Sequence, residues 1–327
     1  MHGGKEPIQL DEVASVRGAR QDGYIRVALK ADGSWVRIPV IIVRGHEDGP
    51  TLLVDACTHG DEYEGAEAVI ETANTIDPSR FRGTLVGVPA VNFDAFCANT
   101  RWSPIDQTNL NRVFPGGPDK YITPRIAFTH LQRLISRADY LISFHGGGVV
   151  LHLEPMAGYL PSEGELGDTS ARMARAFGTK VIWRMQNLPF EGISTAEAAK
   201  LGIPAVLPEI GSHCSRLHER RKNVHLCANG ILNVMKCIGM MDGDIQPVES
   251  QIEQEMHYIH TGAGGIHIPL KGVLETAEKG EVLARITDVF GRTTAEVKAP
   301  FDGVVVGFWS VPVIGPGDWS YLFGKLV

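Results

Sequence analysis

Residues 52–69 read LLVDACTHGDEYEGAEAV, an apolar run that stops at His59 and gives way, three residues later at Glu62, to Ala and Glu on a helical period. The pattern predicts a buried strand over 51–58 and a helix over 63–76, the unit from which parallel sheets are built. An imidazole and a carboxylate leaving one strand-to-helix turn can meet on a single zinc ion. Gly60 is expected to let the backbone turn tightly between them. Alone, H-x-x-E is weak, because a surface His and a Glu favoured by the helix dipole account for it as well.

Outward from this unit the same texture recurs. YIRVALK (24–30) and WVRIPVIIVRG (35–45) read as strands joined by a hairpin turn at Asp32-Gly33, and GTLVGVPAVN (83–92) as another strand. Helical patterns over 123–138 and 169–178 precede the apolar runs YLISFH (140–145) and KVIWRM (180–185). A third helix, opened by the capping-box pattern Ser194-Thr195-Ala196-Glu197, leads through Gly202 into IPAVLPEIG (203–211). A helix over 219–239 closes this region near Met241. After MDGDIQPVESQ (241–251) come short β-like runs punctuated by glycine, from GGIHIPL (264–270) to GVVVGFW (303–309). The expected fold is α/β, a mixed, largely parallel sheet flanked by helices over residues 1–241, with a smaller all-β domain over 242–327. KGEVLARI and VKAPFDGVVV are similar to lipoyl-carrier scaffolds but lack a modifiable lysine in a Met-Lys setting, so only the β scaffold is shared.

Reading the strand ends together changes the weight of His59 and Glu62. His145 ends the strand YLISFH ahead of three glycines, and Glu209 ends IPAVLPEIG. Ligands of open α/β sheets bind outside the carboxyl ends of the strands, so His59, Glu62, His145 and Glu209 can converge there. Two His and one Glu leave a fourth zinc position for water, the catalytic pattern, and Glu209 is left to act as a base. Between these segments the loop NTRWSPIDQTNLNRVFPGG (99–117) brings Arg101, Asn111 and Arg112. Arginine suits a bidentate grip on a carboxylate.

Composition narrows the classes. The chain has 327 residues, 43% hydrophobic and 21% charged, with a net charge of −7. That is globular, with no general attraction for nucleic acid or anionic lipid. No apolar run approaches the ~20 residues needed to cross a bilayer, and the N-terminus lacks a secretory pattern, so a cytoplasmic location is expected. Five scattered cysteines without C-x-x-C fit free, mostly buried thiols. G-x-S-x-G, P-loop and G-x-G-x-x-G motifs are absent.

In order and spacing, THGDEYEG, NLNRVFPG, FHGGG and GIPAVLPEIG resemble the succinylglutamate desuccinylase and aspartoacylase family of the zinc carboxypeptidase superfamily, from about Gly45 to Gly211, and the trailing β domain is also a family feature. The resemblance implies one zinc per chain on His59, Glu62 and His145, with Glu209 as general base. It implies that Arg101 polarises the scissile carbonyl and that Asn111 and Arg112 hold a substrate carboxylate. The activity it implies is zinc-dependent hydrolysis of a small N-acylated substrate, such as succinylglutamate, acetylaspartate or N-acetyl-diaminobutyrate. A carboxypeptidase and a non-catalytic metal- or ligand-binding protein are the alternatives, and homo-oligomerisation is open. The family often has Asp two residues before the third ligand and at the start of its D-L-N-R motif. Here Ser143 and Asn109 stand there, predicting weaker support of the metal ligand and an altered charge balance near Arg112.

Other histidines carry less. His152 and Glu154 are read as strand residues with ordinary packing, His257, His260 and His267 as surface or interface residues, and His213, His218 and His225 as a solvated face.

Overall fold

Leu52, Leu53 and Val54 are all buried, yet they alternate between two separate hydrophobic cores. A strand that feeds both cores must lie inside a sheet covered on both faces. This strand is β3 (Glu47–Asp55). The computed structural model describes residues 5–11, 16–186, 188, 191–246 and 248–326. Ahead of β3 the hairpin β1 (Arg20–Leu29) and β2 (Trp35–Arg44) forms as expected. After it come α1 (Glu64–Thr75), β4 (Arg82–Val88), α2 (Phe93–Ala98), α3 (Ile122–Arg133), β5 (Tyr140–Ser143), β6 (Leu151–Leu153), β7 (Met156–Tyr159) and α4 (Glu165–Phe177). Then follow β8 (Val181–Arg184), α5 (Ser194–Lys200), β9 (Ala205–Glu209) and α6 (His213–Cys237). On one face, residues of α1, α4 and α6 fill the core with Leu52 and Val54; on the other, residues of α3 and α5 pack with Leu53.

The rest of the chain is β: β10 (Ile252–His260), β11 (Gly265–Pro269), β12 (Thr276–Ala277), β13 (Val282–Thr287), β14 (Thr293–Lys298), β15 (Gly303–Trp309), β16 (Val313–Ile314) and β17 (Trp319–Leu326). The large sheet runs β1-β2-β4-β3-β5-β9-β7-β8-β10-β17-β15-β12, and a smaller sheet runs β14-β13-β11-β16. Pairing is parallel from β4 through β3 and β5 to β9, and again from β7 through β8 to β10. Among the described residues, two strand pairings cross residue 241. β10 lies parallel to β8, and β6, just after the end of β5, pairs with β15. The far part of the sheet therefore comes back beside the end of β5.

Several local expectations change. β10 has no counterpart in the sequence reading, because its inward residues are Gln254, Met256 and Tyr258, a polar-tinged alternation that does not stand out as apolar. Helix α6 starts six residues before the expected 219, with a first turn and a half that is polar and largely exposed. Ser194 does not cap α5. Ile193 holds the cap position, the Ser194 N–H is taken by the Asn111 side-chain oxygen at 3.1 Å, and Glu197 pairs with Lys200. Gly60 is needed for contact rather than for a turn, since a Cβ there would lie 2.1 Å from the Ala95 carbonyl carbon. The five cysteines are free, but only Cys57 and Cys227 are buried.

Candidate active site

Three neighbouring parallel strands, β3, β5 and β9, end on the same side of the sheet. Asp55 lies opposite Ser143, and beyond the strand proper His145 forms a bridge with Glu209. The His145 N–H donates to the Pro208 carbonyl at 2.8 Å, and the Ile210 N–H to the His145 carbonyl at 3.0 Å. Register thus fixes His145 beside Glu209, while the short turn after β3 delivers His59 and Glu62 from the other flank. His59, Glu62, His145, Glu209, Arg101, Asn111 and Arg112 all line one cavity of about 50 Å³.

The ligating atoms of His59, Glu62 and His145 lie within 4.8 Å of one another, and all three residues are buried. Nδ1 of His59 is 2.8 Å from Glu62 Oε1, and Nδ1 of His145 is 2.8 Å from Oε2. Burial alone would raise the Glu62 carboxyl, but the two imidazoles, by charge and hydrogen bonds, hold it well below the usual carboxylate range. Burial, helped by the Arg101 charge, pushes His59 down to about 4. His145 is raised, because Glu62 outweighs its burial. At neutral pH His59 therefore carries one proton while facing two oxygens, Glu62 Oε1 and, at 3.0 Å from Nε2, Asn109 Oδ1. A proton donated to Asn109 turns the Nδ1 lone pair onto the carboxylate. A cation held by two imidazole nitrogens and a carboxylate resolves that conflict, so these residues could hold a metal ion.

Asn109 and Ser143 each meet a specific partner in the structure. Asn109 faces His59, and its oxygen also accepts the Asn111 N–H at 2.9 Å, so its amide is fixed in orientation. Ser143 donates to Asp55 at 2.7 Å, and Asp55 also meets His130 at 2.9 Å in a fully buried cluster. The carboxylate nearest Ser143 thus sits one strand over, on β3. Asn111 Oδ1 accepts the Ser194 N–H, and its Nδ2 lies 3.2 Å from His145 Nε2. Arg101 Nη1 reaches Glu62 Oε1 at 2.9 Å, and Arg112 bonds its neighbour's carbonyl at 2.6 Å. Burial, with the Glu62 charge adding to it, pushes Glu209 up to about 8, the repulsive part of its environment outweighing His145 and the arginines.

Sequence reasoning missed part of the wall. Tyr258 on β10 and Trp319 and Leu322 on β17 line the same cavity. Burial raises the Tyr258 hydroxyl, with Glu209 adding to it. The alternation Gln254, Met256, Tyr258 was the available signal, but nothing local says which sheet edge it joins. His152 and Glu154 are outside the cavity; Leu151 and Leu153, alternating with His152, enter it. His152 faces Cys214, with Nδ1 3.6 Å from the sulfur. His257 and His260 are exposed, as are His213, His218 and His225, whereas His267 is buried against Ser320 at 2.9 Å, contrary to its surface reading.

Comparison with known proteins agrees with this architecture. Residues 48–238 match the model of the succinylglutamate desuccinylase/aspartoacylase catalytic domain. The N-alpha-acetyl-L-2,4-diaminobutyric acid deacetylase of Halomonas elongata is 30% identical over 321 residues, covering 94% of this chain and 92% of that protein. The product-bound ectoine utilization protein EutE (DoeB) of Ruegeria pomeroyi superposes with a TM-score of 0.88 at 28% identity, covering 96% of this chain and 97% of that one. A succinylglutamate desuccinylase from Silicibacter sp. TM1040 gives 0.88 at 27% identity, covering 99% and 100%. With the matched model spanning more than half of the chain and the relatives nearly all of it, the chain belongs to the succinylglutamate desuccinylase/aspartoacylase family.

Proposed function

We propose that this protein is a zinc-dependent deacylase that hydrolyses the amide bond of a small N-acyl amino acid. The observation that carries the reading is the convergence of His59, Glu62 and His145 beside a half-buried Glu209 whose carboxyl is not consumed in holding the triad. Zinc, when bound by those three residues, supplies a Lewis acid and lowers the pKa of water toward neutrality.

The chain's own groups supply the rest. Glu209 accepts a proton from the attacking water and delivers it to the departing nitrogen, a role suited to a carboxylate whose basicity is raised by burial. In this reading Arg101, whose Nη1 bonds Glu62 Oε1 at 2.9 Å, turns to donate to the oxygen of the scissile carbonyl as charge builds on it. Arg112, with the Nδ2 of Asn111, receives the substrate carboxylate. The products are a carboxylate and a free amino acid. Retention of Glu209 supports an enzyme over a binding protein. The walls contributed by Tyr258, Trp319 and Leu322 leave a small cavity, which favours a compact amide over a peptide.

The test is a coupled amine-release screen of the zinc-loaded protein against a panel of N-acyl amino acids and short peptides. Elemental analysis of the wild type and His145→Ala after zinc addition runs beside it. Turnover on N-acyl amino acids, with zinc lost in the variant, is the expected result; turnover confined to peptides, or equal zinc in both proteins, overturns the reading.

A further inference from the structure

The inner wall of the cavity is a continuous apolar face. Leu207 and Glu209, two residues apart, point to the same side of β9. Met156 lies opposite Glu209, and Gly158 lies opposite both Leu207 and Trp183, so this face extends over β7 to Trp183 on β8. Met156, Trp183, Met185 and Leu207 are all buried and belong to one core cluster. Among the described residues lining the cavity, the carboxylates are Glu62 and Glu209 and the permanent cations are Arg101 and Arg112. Glu62 is engaged by His59, His145 and Arg101. Recognition of charge beyond the reacting centre is thus confined to Arg112 and Asn111, enough for one carboxylate. An ammonium or a second carboxylate pressed against Met156, Trp183, Met185 and Leu207 would lose its hydration, and none of these four side chains carries a charge to replace it.

Resting on the deacylase reading above, we propose that the preferred substrate carries a single carboxylate and is otherwise uncharged and apolar: a short-chain N-acyl derivative of an amino acid with a hydrocarbon or thioether side chain. This sets the chain apart from its Halomonas relative, whose named substrate carries a side-chain amine.

The experiment compares kcat/KM of the zinc-loaded protein for the N-acetyl derivatives of leucine, methionine, aspartate and 2,4-diaminobutyrate, together with N-succinyl-leucine. The same compounds are titrated calorimetrically into Glu209→Gln. The neutral N-acetyl compounds should lead the charged ones by on the order of a hundredfold, in turnover and in affinity. Equal or better handling of the aspartate, diaminobutyrate or succinyl compound overturns the proposal and leaves the deacylase reading standing. Selective binding of N-acetyl-leucine without cleavage by the loaded wild type overturns the deacylase reading and with it the substrate assignment, leaving only the ligand preference. Absence of binding by any neutral compound overturns the proposal. Met156→Glu, which places a carboxylate opposite Glu209, should shift the preference toward the diaminobutyrate compound; an unchanged ranking in folded variant also counts against it.

Discussion

Asn109 Oδ1 lies 3.0 Å from His59 Nε2 and accepts the Asn111 N–H at the same time, so a neutral amide orients one of the three candidate metal ligands. A carboxylate in that place would make the imidazole a stronger ligand, and an apolar residue would leave it unsupported. Asn109→Asp should tighten zinc, and Asn109→Ala weaken it by on the order of tenfold, in competition with a chromogenic chelator. Equal affinity in all three proteins would show that His59 is held by packing alone.

Glu209→Gln should keep the metal and the fold while turnover falls by about 10²–10⁴-fold, the usual contribution of a general base. A loss below about tenfold would move water activation to another group. A parallel drop in melting temperature would mark Glu209 as a structural partner of its neighbours.

Arg112→Lys keeps the charge but removes the planar fork. KM should rise by an amount matching about 1.5–3 kcal/mol for a charged hydrogen bond, with a smaller change in kcat. A variant that treats carboxylate and carboxamide forms of one substrate as the wild type does would remove Arg112 from carboxylate recognition.

Glu253 ties three elements: it accepts from Tyr159 on β7 at 2.5 Å and from Arg175 on α4 at 2.7 Å while sitting on β10. Burial works to raise its carboxyl, but these bonds hold it below its ordinary value. A depressed native pKa means stabilisation that is fully present above the unfolded carboxylate range, about 4.3, and lost as pH falls through the lower native value. Glu253→Gln should therefore be less stable than wild type in urea at pH 7, and the gap should close in acid. A gap independent of pH would assign the loss to altered packing.

What the sequence made legible is what each segment carries within itself. Apolar runs ending in His59, His145 and Glu209 announce the strand ends, and parallel pairing then needs only ordinary topology to bring them together. Asn109 facing His59, and Asp55 on the strand beside Ser143, depend on loop course and register between segments far apart in the chain, which no local pattern encodes. Tyr258 was lost for the same reason. Its alternation specifies a strand, but the position beside β8 that turns it toward Glu209 is set by packing of the whole sheet.

The contribution of β10 and β17 to the cavity wall has a consequence for how the protein comes into being. His59, Glu62 and His145 leave the ribosome early, and at synthesis rates of about 5–20 residues per second they wait on the order of ten to fifty seconds for Trp319 and Leu322. During that interval the nascent chain carries metal-ligating groups without the wall that narrows access to them. The cavity wall is thus the last part of the site to be made, and a chain ending before β17 would carry His59, Glu62 and His145 without Trp319 and Leu322 beside them.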